Sequence, residues 1–219
     1  PRYHAMIRLL VIDNHDSFVF NIVQLLREHP RVTYDLIRED ELYGDEMTRY
    51  DALLLSPGPG IPEEYPRMMR LIAEGVGHYP ILGICLGHQA IAQHLGATLH
   101  QLPHPLHGHP APLVDIDHSD PVVGGITEGS IVGRYHSWVV SRADLPACLI
   151  PTAYSEGAES EHHELMAFRH RQYPIFGLQF HPESMITSSG KAYIEGFVSE
   201  VERELRAQSL SCTTITSQI

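Results

Sequence analysis

The segment Gly83-Ile84-Cys85-Leu86-Gly87 narrows the fold more than any other stretch of this chain. It follows the apolar run Tyr79-Pro80-Ile81-Leu82 and precedes the helix-like His88-Gln89-Ala90-Ile91-Ala92-Gln93-His94-Leu95. The order reads strand, sharp turn, helix, with a thiol at the apex. Glycine two residues to either side tolerates a tight turn, and a side chain at the apex projects above the sheet edge, the logic of a nucleophile elbow. A sulfur there also faces the positive end of the following helix, which favours the thiolate. Taken alone, the same residues fit a small buried hydrophobe in an ordinary strand–helix turn. The rest of the chain decides between the two.

An elbow of this kind belongs in an α/β sheet, and the first half of the sequence supplies one. Arg8 to Asp13 reads as a buried strand ending in the polar turn Asp13-Asn14-His15-Asp16-Ser17. A helix follows from about Phe18 to Glu28, with Ile22, Val23, Leu25 and Leu26 on its inner face. Val32 to Ile37 is a second strand. Ala52-Leu53-Leu54-Leu55 is a third, apolar on both faces as central parallel strands are. Pro62 to Glu74 looks helical, and Pro80 to Ile84 is the strand that feeds the elbow. Strands alternating with helices predict an open, mostly parallel central sheet flanked by helices, its active loops at the carboxyl ends of the strands.

The second half changes character. Leu113–Ile116, Ser130–Val132, Trp138–Val140 and Leu165–Phe168 are short runs separated by Pro, Gly and Asp, which predicts a smaller mixed or antiparallel extension. Lys191 to Arg206 closes as an amphipathic helix. One domain over 7–205 is expected, followed by a loose polar tail over 207–219. At 219 residues that length suits a single α/β domain.

Charge and cysteine usage exclude several roles. Fifteen basic residues against 27 acidic ones leave a net charge of −12, which argues against nucleic acid and anionic membranes as partners. No apolar stretch approaches the length of a membrane span. Cys85, Cys148 and Cys212 are odd in number and widely spaced, so they make no disulfide framework, and a cytoplasmic setting is expected. Histidines at 100, 104, 107, 109 and 118 match no common zinc spacing and are broken up by prolines, so no metal site is expected.

Two further segments give the thiol its context. Phe176 to Phe180 is an apolar strand whose end delivers His181 and Glu183. Thiol hydrolysis needs a base that takes the thiol proton and returns it to the leaving amine, and histidine titrates in the right range. A carboxylate two residues on, with Pro182 stiffening the turn, can fix the tautomer and support the imidazolium. The Ser56-Pro57-Gly58-Pro59-Gly60 loop lets backbone N–H groups approach a ligand, and can supply the second half of an oxyanion hole beside the Leu86 N–H. Seen singly, the first of these could be a plain turn with a solvated acid and the second a plain Pro/Gly turn.

Together the segments closely resemble class I, triad-type glutamine amidotransferases, in particular the small subunits that serve chorismate-using synthases. The resemblance rests on Asp13–Phe18, Ser56–Gly60, Gly83–Ala90, Arg134–Ser137 and Phe180–Ser184, in order and register over roughly residues 7–205. It implies a flavodoxin-like fold and a Cys85–His181–Glu183 triad that hydrolyses the side-chain amide of L-glutamine through a thioester. It also implies that Gly58, Pro59, Gly60, Gln89, Ser137 and Trp138 line the glutamine pocket, with the Gly58 and Leu86 N–H groups as oxyanion hole. His107-Gly108-His109 stands where relatives carry His-Gly-Lys, and Trp138 where a smaller aliphatic residue is usual.

Ammonia released into neutral water becomes mostly ammonium and loses its nucleophilicity. Direct transfer to a second protein is therefore expected; the resemblance implies that it is a chorismate-binding large subunit, with magnesium in that partner and no cofactor in this chain. The segments Asp144–Cys148 and Met166–Gln172 resemble the subunits that serve 4-amino-4-deoxychorismate and folate slightly more than those that make anthranilate for tryptophan; the alternatives are an anthranilate synthase subunit or one that serves both. The other readings are a γ-glutamyl hydrolase or cysteine peptidase with an open cleft, and a non-catalytic partner-binding module. Intact Cys85, His181 and Glu183 argue against the last.

Overall fold

The computed structural model describes residues 6–156 and 163–216. In chain order the elements are β1 (Ile7–Asp13), α1 (Val19–Arg27), β2 (Val32–Arg38), β3 (Ala52–Leu55), α2 (Pro66–Gly75), β4 (Ile81–Ile84) and α3 (Leu86–His94). They continue as β5 (Leu99–Gln101), β6 (His109–Val114), β7 (Ile131–Arg134), β8 (Trp138–Val140), β9 (Leu149–Glu156), β10 (His163–His170), β11 (Ile175–Leu178) and α4 (Gly190–Thr216). One nine-stranded sheet runs β2-β1-β3-β4-β11-β10-β9-β6-β7, and β5 pairs with β8 in a small second sheet.

The first five strands of that order are joined in parallel. From β11 outward every pairing is antiparallel. β3, β4 and β11 are buried at every residue, as expected for strands covered on both faces. The pleat divides β1: Leu9 and Val11 pack with Ile22 and Leu26 of α1 and Phe197 and Val201 of α4. Leu10 and Ile12 face the other layer, with Met68, Leu71 and Ile72 of α2 and Ala90 and Ile91 of α3. A parallel half with an antiparallel extension is the architecture anticipated above.

Four local readings need correction. The expected helix over Pro62–Glu74 is two pieces, a 3-10 turn at Pro62–Glu64 and then α2. Pro66 takes the first helical position, where its missing N–H costs nothing, but it forces Tyr65 out of the helical region to ψ 64. The strand expected over Leu113–Ile116 stops at Val114, because Asp115 turns to φ 53. β9 escaped the sequence reading because Pro151 discourages a strand assignment. Its register shifts opposite Ala167, and that irregularity accommodates the proline.

Fourth, 207–216 is helical, not loose: α4 runs on to Thr216. Apolar periodicity ends at Leu205, the last residue packed on the core. Beyond it, Ala207 and Gln208 suit a helix, and the Ser209 and Ser211 hydroxyls donate back to the Leu205 and Gln208 carbonyls. The last three residues of the expected tail, 217–219, lie outside the described part. Among the described residues no helix is long and apolar enough to cross a membrane.

Candidate active site

Cys85 sits between β4 and α3 with φ 51 and ψ −100. A side-chain-bearing residue there carries roughly 1–3 kcal/mol of backbone strain. The hydrogen bond from its N–H to the Leu178 carbonyl, at 2.7 Å, helps hold it. The neighbouring glycines do a different job from the one expected. Neither Gly83 nor Gly87 has a positive φ. A Cβ on Gly83 would lie 2.5 Å from the Gly87 carbonyl, and one on Gly87 would lie 2.6 Å from the Leu55 oxygen. They let α3 press onto β4 and β3, while the turn strain falls on the cysteine itself.

Sheet register brings the base to the thiol. β4 pairs with β11 so that Ile84 is opposite Leu178. Cys85 and Gln179 therefore leave the sheet side by side, with His181 two residues further on. The His181 ring contacts the Glu183 carboxylate, Nδ1 to Oε1 at 2.6 Å, and both side chains are buried. The His181 backbone N–H donates to the Gly133 carbonyl at 3.0 Å, and the His181 backbone carbonyl accepts from the Thr187 hydroxyl at 2.6 Å. Tyr135 packs edge-on against the ring at 4.9 Å and bonds Ser184 through its hydroxyl at 3.0 Å.

With Nδ1 committed to Glu183, Nε2 is the nitrogen left for a proton, and it has no hydrogen-bond partner among the described residues. Burial pushes the His181 ring down, but the adjacent Cys85 sulfur and the Glu183 carboxylate outweigh it and hold the ring well above its ordinary value. Neighbouring strand ends thus carry the thiol and the imidazole. Asp16, part of a quoted motif but given no role, sits close by. Burial raises its carboxyl, the Phe18 N–H opposes that, and the charge of Glu183 adds to the rise.

The 56–60 loop is anchored to the end of β1. Asn14 donates its N–H to the Ser56 hydroxyl and its side-chain amide to the Ser56 carbonyl, both at 2.9 Å. The Tyr65 hydroxyl donates to the Pro59 carbonyl at 2.7 Å. A Cβ on Gly58 would lie 2.5 Å from the Asn14 oxygen and 2.8 Å from Leu86 Cδ2, so Gly58 is held against the first residue of α3. Gly58 and Leu86 thus meet beside the elbow, while Pro59 and Gly60 form an exposed rim. Asn14 was part of a motif with no role of its own and Tyr65 was not singled out, because both act through contacts with a loop distant along the chain.

Ser137 and Trp138 are half-buried at the start of β8, and Gln89 is buried in α3. Gln89 was expected to line a substrate pocket. Its amide NH2 donates within the protein, to the Trp138 carbonyl at 2.8 Å and to Gln179 Oε1 at 3.1 Å. The Ser137 carbonyl accepts from the Leu102 N–H at 2.8 Å.

His100, His104, His107, His109 and His118 are all exposed, and no cluster of three metal-ligating side chains occurs among the described residues. His109 has a specific neighbour. Its Nδ1 faces Arg134 Nη2 at 3.1 Å, and that buried guanidinium also pairs with Glu164 at 2.9 Å. A neutral imidazole nitrogen can accept from the guanidinium, whereas a lysine there would bring a second cation. Beside the His181–Glu183 pair lies a cavity of about 190 Å³ lined by Phe18, Asn21, Tyr135, Ser184 and Met185. Phe18, Met185 and nearby Phe20 are exposed apolar side chains.

A parallel α/β sheet with a thiol elbow on one strand and a carboxylate-anchored imidazole after its neighbour defines an enzyme class that cleaves through a cysteine nucleophile. The pattern of the glutamine amidotransferase class-I family matches residues 10–201, and the chain belongs to that family. It is 37% identical over 204 residues to the aminodeoxychorismate/anthranilate synthase component 2 of Bacillus subtilis, covering 91% of this chain and all of that one. It is 39% identical over 195 residues to the bifunctional protein TrpGD of Thermotoga maritima, covering 88% of this chain but spanning only 32% of that longer protein. The solved structure of a glutamine amidotransferase from Thermotoga maritima shares the fold, with a TM-score of 0.67 and 22% identity over 92% of this chain and 86% of that one.

Proposed function

We propose that this chain hydrolyses the side-chain amide of L-glutamine and hands the ammonia to a chorismate-binding synthase subunit, for 4-amino-4-deoxychorismate and the folate route. Cys85 sulfur attacks the amide carbon while His181 Nε2 takes the thiol proton. The oxygen that becomes negative is met by the Gly58 and Leu86 N–H groups. The intermediate collapses as His181 returns the proton to the departing nitrogen, giving ammonia and a γ-glutamyl thioester. Water then attacks the thioester with His181 again as base, releasing glutamate and restoring the thiol. Glu183 keeps the ring in the required tautomer and balances its charge. Gly58, Pro59, Gly60, Gln89, Ser137 and Trp138 would surround the substrate.

The observation that carries this reading is the buried His181–Glu183 pair after β11, the strand paired with the one that feeds Cys85. The names of the relatives support the chorismate partner. The dual name of the Bacillus subtilis relative specifically favours a second reading, a subunit that also serves anthranilate synthesis. Exposed Phe18, Phe20 and Met185 beside His181 and Glu183 suit a docking face for that partner, which would hold the magnesium. Three widely spaced cysteines suit a reducing compartment, so we place the reaction in the cytoplasm.

The test is reconstitution of the purified chain with each type of large subunit, measuring glutamate release and identifying the aromatic product. Glutaminase turnover should rise on docking, and 4-amino-4-deoxychorismate should form. Full turnover by the isolated chain would refute partner control. Anthranilate as the sole product would refute the folate assignment.

A further inference from the structure

Gln179 is buried completely at the end of β11, and the mechanism above leaves it without a role. Its backbone is fixed by donation to the Met166 carbonyl at 2.8 Å. Its side-chain Nε2 lies 3.6 Å from Cys85 Sγ, within reach of an N–H···S hydrogen bond, although 94 positions separate the two residues. Its Oε1 accepts from Gln89 Nε2 at 3.1 Å, and Gln89 Nε2 also donates to the Trp138 carbonyl at 2.8 Å.

The direction of this relay follows from its far end. A backbone carbonyl can only accept, so Gln89 must turn its NH2 toward Trp138. That same NH2 reaches Gln179, which must answer with its carbonyl oxygen. Only one orientation of the Gln179 amide remains, and it aims the NH2 at the sulfur. A donor there favours sulfur in its anionic form, because hydrogen bonds to charged acceptors are the stronger kind.

We propose that Gln179 is a positioning residue: oriented by Gln89 and the Trp138 carbonyl, it holds the Cys85 sulfur by an amide hydrogen bond and favours the attacking thiolate. Gln89 then acts as the clamp on Gln179. The inference rests on the glutaminase reading for turnover, but not for thiol reactivity.

The experiment is iodoacetamide alkylation of Cys85 in the full chain across pH, with Gln179→Met and Gln179→Glu. Met keeps the length and removes the donor. Glu keeps an acceptor for Gln89 and turns an oxygen to the sulfur. Losing a hydrogen bond to a charged acceptor should slow alkylation at pH 7 about tenfold in Gln179→Met. Gln179→Glu should be slower still. Glutamine hydrolysis should lose kcat with KM unchanged, the mark of an interaction that acts on the chemistry and not on substrate affinity.

A wild-type alkylation profile in either folded variant overturns the proposal, as does a raised KM with intact kcat. A second measurement needs no variant. In the wild-type chain the Gln179 side-chain NH2 resonances should shift over the pH range in which Cys85 becomes reactive, and resonances that stay flat overturn it. A chain that fails to hydrolyse glutamine yet loses thiol reactivity on Gln179→Met would remove the proposed function and leave this assignment standing.

Discussion

Mild acid should weaken this fold through two histidines enclosed by the core. The His88 ring lies 4.6 Å from Phe168, is fully buried, and has no hydrogen-bond partner on either nitrogen among the described residues. Burial pushes it down to about 3, opposed only by the nearby Gly177 backbone, which lacks hydrogen-bond geometry. His136 is also pushed down to about 3, first by burial and then by the Arg134 cation. In the unfolded chain both titrate near 6.5. Well above that pH both are neutral folded and unfolded, so they add no pH dependence.

As pH falls through 6.5 the unfolded chain gains protons that the folded chain excludes, and stability drops until about pH 3. At pH 5 the difference is about 2 kcal/mol for each histidine, about 4 for the pair. That is a large part of a typical total of roughly 5–15 kcal/mol. His181 runs the other way: its raised value makes its contribution complete below 6.5 and fading as pH rises through the folded value. Urea unfolding at pH 7.5 and pH 5 reads the sum, and His88→Leu isolates one part. The variant should lose about 2 kcal/mol of the wild-type drop, since the other titrating groups cancel in the comparison. A His88→Leu chain with the full wild-type drop would refute the reasoning.

Glu183→Gln removes the charge 2.6 Å from His181 Nδ1, a hydrogen bond of about 1.5–3 kcal/mol, so kcat for glutamine hydrolysis should fall roughly ten- to a hundredfold. The pH at which His181 gives up its proton should fall as well, seen in the pH–rate profile of the reconstituted complex; an unchanged kcat contradicts the role given to Glu183. Gly87→Ala sets a Cβ 2.6 Å from the Leu55 backbone oxygen and should cost on the order of 1–3 kcal/mol in urea unfolding. Gly125→Ala, with nothing within 4 Å of the new Cβ, is the matched control and should be close to neutral.

The elbow, the central strands and the three candidate catalytic residues were legible because each is written locally. An apolar run of four, a thiol between glycines and a His-Pro-Glu turn need no distant partner to be read. The same locality explains the misses. Pro151 conceals β9, since only its neighbour β10 shows that the sheet tolerates a proline there. Residues 207–216 look like a tail because they lack an apolar face, yet backbone hydrogen bonds carry the helix on. Nor does the sequence show that Trp138 and Gln179 take the amide hydrogens of Gln89, because both contacts cross the fold.

By itself, then, the order of residues determined which strands and helices form, which family the chain resembles and which side chains can do thiol chemistry, since periodicity, turn chemistry and residue type are short-range properties. Only the tertiary structure decided that β11 lies against β4 in the register that sets Gln179 beside Cys85, that the cysteine and not its glycines carries the turn strain, and that His88 and His136 are sealed from water. Those outcomes depend on which strand edges meet and what covers them, and that is settled by burial summed over the whole sheet.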